Sequence, residues 1–245
     1  MKINVHAGHN PDGKTACGAI GLIKESTEAR KVKKYVIKYL KKMGHTVYDC
    51  TVDNGTSQSD VLNKIVKKCN AHSVDLDISI HFNSGANDKK GNSKTTGTEV
   101  LVYKLDSGIN VKIAKQIASE IETLGFRNRG VKANPSLYVL NSTKAPAMLI
   151  ECCFVDDADD IKLYDAKTMA KKIVKGIAKA HPFDVVTTKK GVYLRQTAGS
   201  NVTKTGRLAK GAKCTISNVS IKSGIVYGYI KNKKQWISLV NTRLA

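Results

Sequence analysis

Two repeating patterns of apolar and polar positions run through the first 180 residues of the chain. Short stretches alternate apolar and polar residues, which is typical of half-buried strands, and longer stretches place apolar side chains three and four positions apart, which is typical of helices with one buried face. The predicted strands are residues 2–7, 46–50, 75–83, 98–104, 136–141 and 147–154, and the predicted helices are residues 25–43, 59–71, 107–124 and 165–180. This alternation predicts an α/β domain over residues 1–182, with a mostly parallel, twisted sheet flanked by helices.

A different pattern begins after Pro182. Short segments rich in Thr and Val are separated by Gly and Ser at regular intervals, and helical spacing is not found there. Closely spaced strands and turns are typical of a small all-β barrel. We therefore predict a second domain over residues 188–245.

The net positive charge of the chain indicates the kind of molecule that the protein binds. The formal net charge is +21, and the 63 residues from Phe183 onward contain nine Lys and three Arg but one Asp. Such an excess is typical of proteins that bind nucleic acid, an anionic membrane or an anionic cell-wall polymer. The chain has one Trp and no basic helix interleaved with aromatics, and its apolar runs are too short to span a membrane, so we expect neither nucleic acid nor membrane as the partner.

The amino terminus and the cysteines indicate a compartment. The segment from Met1 leads directly into the first predicted strand, without the apolar core or the small-residue cleavage site of a signal peptide. The six cysteines form no CxxC pair and no regular framework, so we interpret them as free thiols. We therefore expect the protein to be made in the cytoplasm.

Histidines and carboxylates occur where the predicted strands and helices end. His9 lies in a glycine-containing turn after the first strand, His81 lies near the end of "LDISIHFN", and Glu151 interrupts the apolar strand "AMLIECCF". Functional groups of parallel sheets gather outside the carboxyl ends of the strands. An ionised carboxylate inside an apolar strand is costly unless another group pairs with it.

A carboxylate near the first predicted helix could complete a metal site. Glu25 and Glu28 both open that helix, where an acidic side chain also favours the helix dipole. Two histidines and one glutamate around an open fourth position are a common catalytic zinc set, with a further carboxylate as the base. The compact HExxH motif is absent, so the residues alone leave a zinc hydrolase and a purely structural role both open.

Five blocks of sequence occur in an order that resembles a known family. They are "INVHAGHNPDG" followed by "GAIG", a Glu at the start of the first helix, "DLDISIHFNS", "GTEVLVY" and "RNRGVKANPSLYVLNSTKAPAMLIECCFVDDADD". Together they resemble the zinc-dependent N-acetylmuramoyl-L-alanine amidases of the Amidase_3 class across residues 1–180. That resemblance implies hydrolysis of the amide bond between N-acetylmuramic acid and L-alanine in peptidoglycan.

The resemblance also implies roles for individual residues. It assigns zinc to His9, Glu25 and His81, with His6 and Glu28 as the neighbouring alternatives. It assigns to Glu151 the activation of the attacking water.

Two further residues, which lie within the same blocks, are candidates for binding substrate. Asn83 lies two residues beyond His81 on the same face of the strand, which leaves two roles open: it lines the cleft and binds substrate, or it only closes the loop. Arg129 is expected to bind carboxylates of the wall peptide.

The tail resembles a second family. "GVYLRQTAGSNVTKTGRLAKGAKCTI" and "KQWISLVNTRLA" resemble the opening and closing segments of bacterial SH3-like cell-wall binding domains. The combination implies a peptidoglycan hydrolase of the phage endolysin or autolysin type. Its partners would be peptidoglycan and the anionic polymers of the wall, on which the protein would act after its release from the cytoplasm. A zinc peptidase or carboxypeptidase acting within the stem peptide, and a non-catalytic wall-binding protein, are the alternatives.

Overall fold

A computed structural model describes all residues, 1–245, of the chain. The first half of the architecture is a six-stranded sheet in the order β2-β1-β3-β6-β4-β5. Its strands are β1 (Lys2–Ala7), β2 (Thr46–Asp49), β3 (Leu76–Asn83), β4 (Thr98–Val102), β5 (Asn128–Ala133) and β6 (Ala147–Phe154). Its helices are α1 (Glu25–Lys42), α2 (Gln58–Asn70), α3 (Ile109–Glu122), α4 (Tyr138–Ser142), α5 (Ala158–Leu163) and α6 (Ala166–Ala180).

Helices cover both faces of this sheet. Helices α1, α3 and α6 pack together on one face, while α2 and α4 contact each other on the opposite face. Alternate residues of β6 divide between the two layers, with Ile150 in the first core and Leu149 in the second. The predicted helices therefore correspond to α1, α2, α3 and α6, and no helix is long and apolar enough to cross a membrane.

The sheet is mostly parallel, as predicted, but one antiparallel pair makes it a mixed sheet. Strand β4 runs antiparallel to β6, whereas the other four pairs are parallel. A parallel return needs a crossover that is usually a helix, and the connection from β3 to β4, residues 84–97, contains no helix.

The strand predicted over residues 136–141 is wrong. Asn134 and Pro135 make a turn, in which the Asn134 side chain accepts a hydrogen bond from the Ser136 N–H, and α4 follows. Its adjacent apolar residues Val139 and Leu140 are both buried in the core that α2 shares. Two neighbouring residues facing one core fit a helical turn and not a strand.

Strand β5 was not predicted, because "NRGVKA" has no alternation of apolar residues. It is the edge strand of the sheet, and its register with β4 shifts by one residue around Gly130, whose φ of +84° suits glycine. Backbone pairing with β4 holds this polar segment in the sheet, together with the packing of Val131 against the core.

The second half of the architecture is a seven-stranded, antiparallel sheet in the order β13-β7-β10-β11-β12-β8-β9. Its strands are β7 (Phe183–Thr187), β8 (Val192–Arg195), β9 (Lys204–Leu208), β10 (Lys213–Lys222), β11 (Ile225–Ile230), β12 (Gln235–Ser238) and β13 (Thr242–Leu244). Strand β7 pairs with β10 and β13, so only two residues separate the end of α6 from the start of this sheet.

The two halves share one hydrophobic core. Ile173 and Ile177 of α6 belong to the same buried cluster as Val219 and Ile221 of β10. Polar contacts reinforce this packing, since the Lys42 ammonium donates a 2.6 Å hydrogen bond to the Gly224 carbonyl. The position of the second sheet is therefore set by packing against α6.

Candidate active site

The turn after β1 brings His9 to the edge of the sheet. His9 has a φ of +65°, a conformation that side chains other than glycine rarely adopt. The preceding Gly8 leaves room for another ring, because a Cβ there would lie 2.0 Å from the His81 imidazole. Both the strained backbone and the missing side chain bring the two histidines together, and their ring centroids are 4.9 Å apart.

Glu25, the first residue of α1, lies between these histidines. Its Oε1 is 2.9 Å from Nδ1 of His81 and 3.2 Å from Nε2 of His9, while its Oε2 accepts a 2.8 Å hydrogen bond from the Ala19 N–H. Gly18, with a φ of +79°, makes space for this carboxylate, because a Cβ there would lie 2.5 Å from Oε2. Burial opposes ionisation of Glu25, but hydrogen bonds from both histidines outweigh it and hold the pKa of the carboxyl well below its usual range.

The two alternative residues point elsewhere. The carboxylate of Glu28 pairs with Lys31 at 2.7 Å and accepts a 3.0 Å hydrogen bond from the Tyr164 hydroxyl. His6 is buried within β1, where Ser79 is its nearest polar partner at 3.4 Å, and burial lowers its pKa to about 3. His6 is therefore neutral near pH 7 and contributes to the core.

The remaining three side chains form a set of donors suited to a metal ion. One ligand atom each of His9, Glu25 and His81 lies within 4.8 Å of the others. The His9 and His81 side chains keep 25% and 13% of their surface accessible, so a ligand can reach them. Two imidazole nitrogens and a carboxylate oxygen are typical ligands of catalytic zinc, which keeps a fourth position for water.

Glu151 lies beside this set, on the central strand β6. In the register of the sheet it is opposite His81 of β3 and opposite Glu99 of β4. Its Oε2 is buried and has no hydrogen-bond partner in the protein. Burial raises the pKa of Glu151 well above its usual value, and the charges of Glu25 and Glu99 raise it further. The site thus contains an unpartnered carboxyl with high proton affinity.

Glu99 organises the neighbouring part of the cleft. Its Oε1 accepts a 3.0 Å hydrogen bond from the Asn83 amide, and its Oε2 accepts bonds from Arg129 Nε at 2.9 Å and from the Lys132 ammonium. Burial opposes ionisation, but Lys132 and Arg129 outweigh it and lower the pKa of Glu99. Both residues expected to bind substrate, Asn83 and Arg129, are therefore held by one carboxylate.

Glu99 was missed although a signal for it exists. It interrupts the apolar strand "TEVLV" in the same way that Glu151 interrupts β6. A buried strand that contains one carboxylate indicates a fixed positive partner nearby.

The connection between β3 and β4 is held by carboxylates that sequence reasoning also missed. Asp156 accepts backbone N–H groups of Gly85 and Asn87, and Asp157 accepts that of Thr96. These acidic residues follow β6 directly in the turn leading to α5. They tie the loop that borders the cleft to the strand that carries Glu151.

A mixed α/β sheet covered by helices on both faces, with two histidines and several carboxylates gathered where its strands end, places the chain in the class of α/β proteins that carry a polar site at the carboxyl ends of their strands. Within that class, the chain belongs to the N-acetylmuramoyl-L-alanine amidase family Amidase_3, whose profile matches residues 3–181. The family resemblance predicted from the sequence blocks is thereby confirmed.

Individual relatives agree with this membership. The chain is 38% identical over 220 residues to an uncharacterized 38.4 kDa protein of Clostridium perfringens. The aligned region covers 86% of this chain and 62% of that protein. A second uncharacterized protein of Clostridium perfringens is 36% identical, with 68% of this chain and 48% of that protein covered. The chain therefore spans about half to three-fifths of the length of these curated relatives.

Two further similarities concern endolysins. The endolysin of Bacillus phage SPP1 is 27% identical to this chain, over 94% of the chain and 80% of that protein. Among solved structures, the catalytic domain of an endolysin targeting Clostridia difficile is 27% identical, with a TM-score of 0.64 over 72% of this chain and 96% of that one.

Proposed function

We propose that the chain is a zinc-dependent amidase that cleaves the bond between N-acetylmuramic acid and L-alanine in peptidoglycan. One observation carries this proposal: His9, Glu25 and His81 converge within 4.8 Å beside the unpartnered Glu151, in a chain of the Amidase_3 family. The alternatives Glu28 and His6 are engaged by other groups.

The residues present fit a zinc ion. His9 Nε2, His81 Nδ1 and Glu25 Oε1 would hold it, because both imidazole nitrogens already face the same carboxylate oxygen. When bound, zinc lowers the pKa of a water ligand towards about 7 and polarises the amide carbonyl.

Glu151 supplies the proton transfers of this reaction. Its unpartnered Oε2 is free to accept a proton from the attacking water and to deliver it to the departing L-alanine nitrogen. A bound dication close by would favour the ionised carboxylate, so that Glu151 could take the water proton and then pass the same proton to the nitrogen.

Arg129 binds the peptide part of the substrate. Glu99 engages Nε of Arg129, so the two terminal guanidinium nitrogens remain free to form a bidentate pair with a carboxylate. Stacking against the Phe154 ring, 5.0 Å from its centroid, further fixes the plane of the guanidinium. Lys132 and Asn83, held by the same Glu99, extend this polar wall.

The division of labour follows the two sheets. Residues 1–182 form the amidase domain, and residues 188–245, together with strand β7 of the same sheet, form an SH3-like domain that binds the cell wall. Two features of the chain from Phe183 onward support this role: its antiparallel sheet and its single acidic residue. A surface with so little negative charge suits a bacterial wall that carries anionic polymers. The protein acts on the wall as an endolysin or autolysin does.

Analysis of the products of purified peptidoglycan tests the proposed reaction. An amidase frees the amino terminus of L-alanine, and a chelator of divalent metals abolishes this release until zinc is restored. Freed D-alanine or a split cross-link would assign the protein to the stem-peptide peptidases. Wall binding without any new amino terminus would make it a non-catalytic binding protein.

A further inference from the structure

The outer face of the second sheet carries a line of polar, aromatic and basic side chains across five strands. Residues directly opposite each other in antiparallel strands project from the same face of the sheet. In the pairing of β10, β11, β12, β8 and β9, the partners in order are Asn218, Tyr229, Trp236, Arg195 and Lys204, which we call the cross-strand row. At about 4.8 Å between strands, this row spans about 19 Å.

Cations in and beside this row stack on one aromatic ring. The Lys204 ammonium and the Arg207 guanidinium each lie 4.6 Å from the centroid of the Tyr193 ring, and the Arg195 guanidinium lies 5.8 Å from it. Stacking fixes the three cations without neutralising them. Asp184, the one acidic side chain from Phe183 onward, lies on β7 and accepts a hydrogen bond from Thr215.

The row continues into a groove between the two halves of the molecule. This basic groove, of about 360 Å³, lies between α6 and β10 and is lined by Lys171, Lys172, Lys175, Lys222 and Trp236, together with Asn218 and Ser220. Trp236, the one Trp of the chain, therefore belongs to both features. Its ring lies 5.1 Å from the Tyr229 ring, so two adjacent aromatic faces line the passage from the groove to the row.

The charge of the groove is only partly compensated. Glu120 of α3 is buried and pairs with Lys175 at 3.0 Å, with Lys172 at 3.7 Å and with Lys179. Burial and the charge of Lys175 lower the pKa of Lys172 despite this carboxylate. Lys171 and Lys222 have no ion-pair partner at all. Like charges held this closely favour an anionic ligand that relieves their repulsion.

We propose that the basic groove and the cross-strand row together bind one extended polyanion, a phosphodiester-linked chain of polyol or sugar units. The lysines and arginines pair with its phosphates, and the faces of Trp236 and Tyr229 pack against the carbon atoms of its units. Because Lys171, Lys172 and Lys175 come from α6, the site belongs to both halves of the molecule. This inference rests on the proposed function, which brings the protein to a wall that contains such polymers.

Titration of the full chain with synthetic poly(glycerol phosphate) tests the site, because Trp236 fluorescence reports on it directly. We expect a saturable change whose affinity falls with salt. The Arg195→Gln/Arg207→Gln double variant should lower the affinity about tenfold and reduce the slope of log K against log salt by about 1.4, at roughly 0.7 per phosphate neutralised. The Lys171→Gln/Lys222→Gln variant changes only unpaired lysines and should also lower the affinity and the salt slope. Its effect cannot come from disturbed packing of the cross-strand row.

The matched control removes two positive charges from the opposite face of the first sheet. Lys67→Gln/Lys144→Gln alters exposed side chains on α2 and after α4, and should leave the affinity within about twofold. If the control variant lost as much affinity for the polymer, the loss would come from the overall charge of the protein, and the proposal would be overturned. So would the absence of saturable binding, or tighter binding to double-stranded DNA than to poly(glycerol phosphate), which would make the surface a nucleic-acid site.

Hydrolysis of a soluble muramyl-L-alanyl fragment, measured with the same proteins, separates this inference from the proposed function. The charge variants should hydrolyse the fragment at the rate of the unchanged chain, because none of the substituted residues lies at the amidase site. Loss of polymer binding with intact hydrolysis supports the inference, whereas absence of hydrolysis in the unchanged chain would count against the proposed function alone.

Discussion

The edge of the first sheet and the outer face of the second sheet handle charge in opposite ways. At the edge, side chains from β1, α1 and β3 converge on one buried carboxylate, Glu25, whose oxygen faces two imidazoles. On the outer face, three cations surround the single ring of Tyr193 without any carboxylate among them. A convergent, partly buried set suits chemistry at one atom, and an extended row of half-buried and exposed side chains suits contact with a long chain. Four substitutions in the first region test this contrast.

Glu151→Gln should have the largest effect. The amide keeps the shape of the side chain but cannot take a proton, so kcat for a muramyl-L-alanyl substrate should fall about 10³-fold, within the range of general acid–base catalysis. Metal content and polymer binding should stay unchanged. The exposed Glu122→Gln provides the control for loss of one carboxylate. A near-normal rate of wall lysis in the Glu151 variant would remove this residue from the mechanism.

Gly8→Ala should act through the ligand geometry. The added Cβ would lie 2.0 Å from the His81 ring, so the imidazole must move away from Glu25. We expect affinity for zinc to fall about 10- to 100-fold, the loss typical of disturbed support around a metal ligand. Gly206→Ala is the control, because the nearest atom to its Cβ would be 3.5 Å away. Unchanged zinc affinity in Gly8→Ala would mean that His81 does not hold the metal.

Glu99→Gln tests a positioning role. The neutral amide no longer pairs with Arg129 and Lys132, so the guanidinium loses its fixed direction. KM for a substrate with a full stem peptide should rise about tenfold, which corresponds to about 1.4 kcal/mol of binding, whereas kcat should change less. Substrates that lack peptide carboxylates should show little difference. An equal effect on both kinds of substrate would point to a merely structural role for Glu99.

His6→Gln should have the smallest effect on catalysis, because it should change only the pH dependence of stability. The folded pKa of about 3 lies below the unfolded value of 6.5, so the unfolded state binds the extra proton and stability is lost as the pH falls below 6.5. Between pH 7 and pH 5 this histidine should cost about 2 kcal/mol, at about 1.36 kcal/mol per pH unit. Urea unfolding at both pH values measures the difference, which His6→Gln should remove and His72→Gln should leave. Equal pH dependence in all three proteins would contradict a buried neutral His6.

The contrast also separates what local sequence patterns can predict from what they cannot. Spacing of apolar residues predicted α1, α2, α3 and α6, because each buries one continuous stripe. The gathering of His9 and His81 at one edge follows from the rule for the carboxyl ends of parallel strands. Strand β5 and the direction of β4 depend on backbone pairing with distant segments, which leaves no apolar signature.

Within the site, the missing part was the support of the functional residues. Arg129 and Asn83 were expected at the cleft, but Glu99, which bonds to both, lies in another strand. The acidic turn that contains Asp156 and Asp157 likewise acts on backbone groups far away in the chain. The apolar strand "TEVLV" marks Glu99 as an unusual buried carboxylate, but the groups that it contacts are set by the register of the strands and cannot be predicted from one segment.

The short connection between α6 and β7 affects which peptidoglycan bonds the protein can reach. Only two residues separate these elements, and Ile173 and Val219 lie in one core, so the two halves cannot swing independently. A hydrolase on a flexible tether samples every bond within the radius of its linker. If the second sheet binds a wall polymer as proposed, the shared core would hold the amidase site at one fixed distance from it, so that only amide bonds of the neighbouring peptidoglycan at that distance would be cleaved.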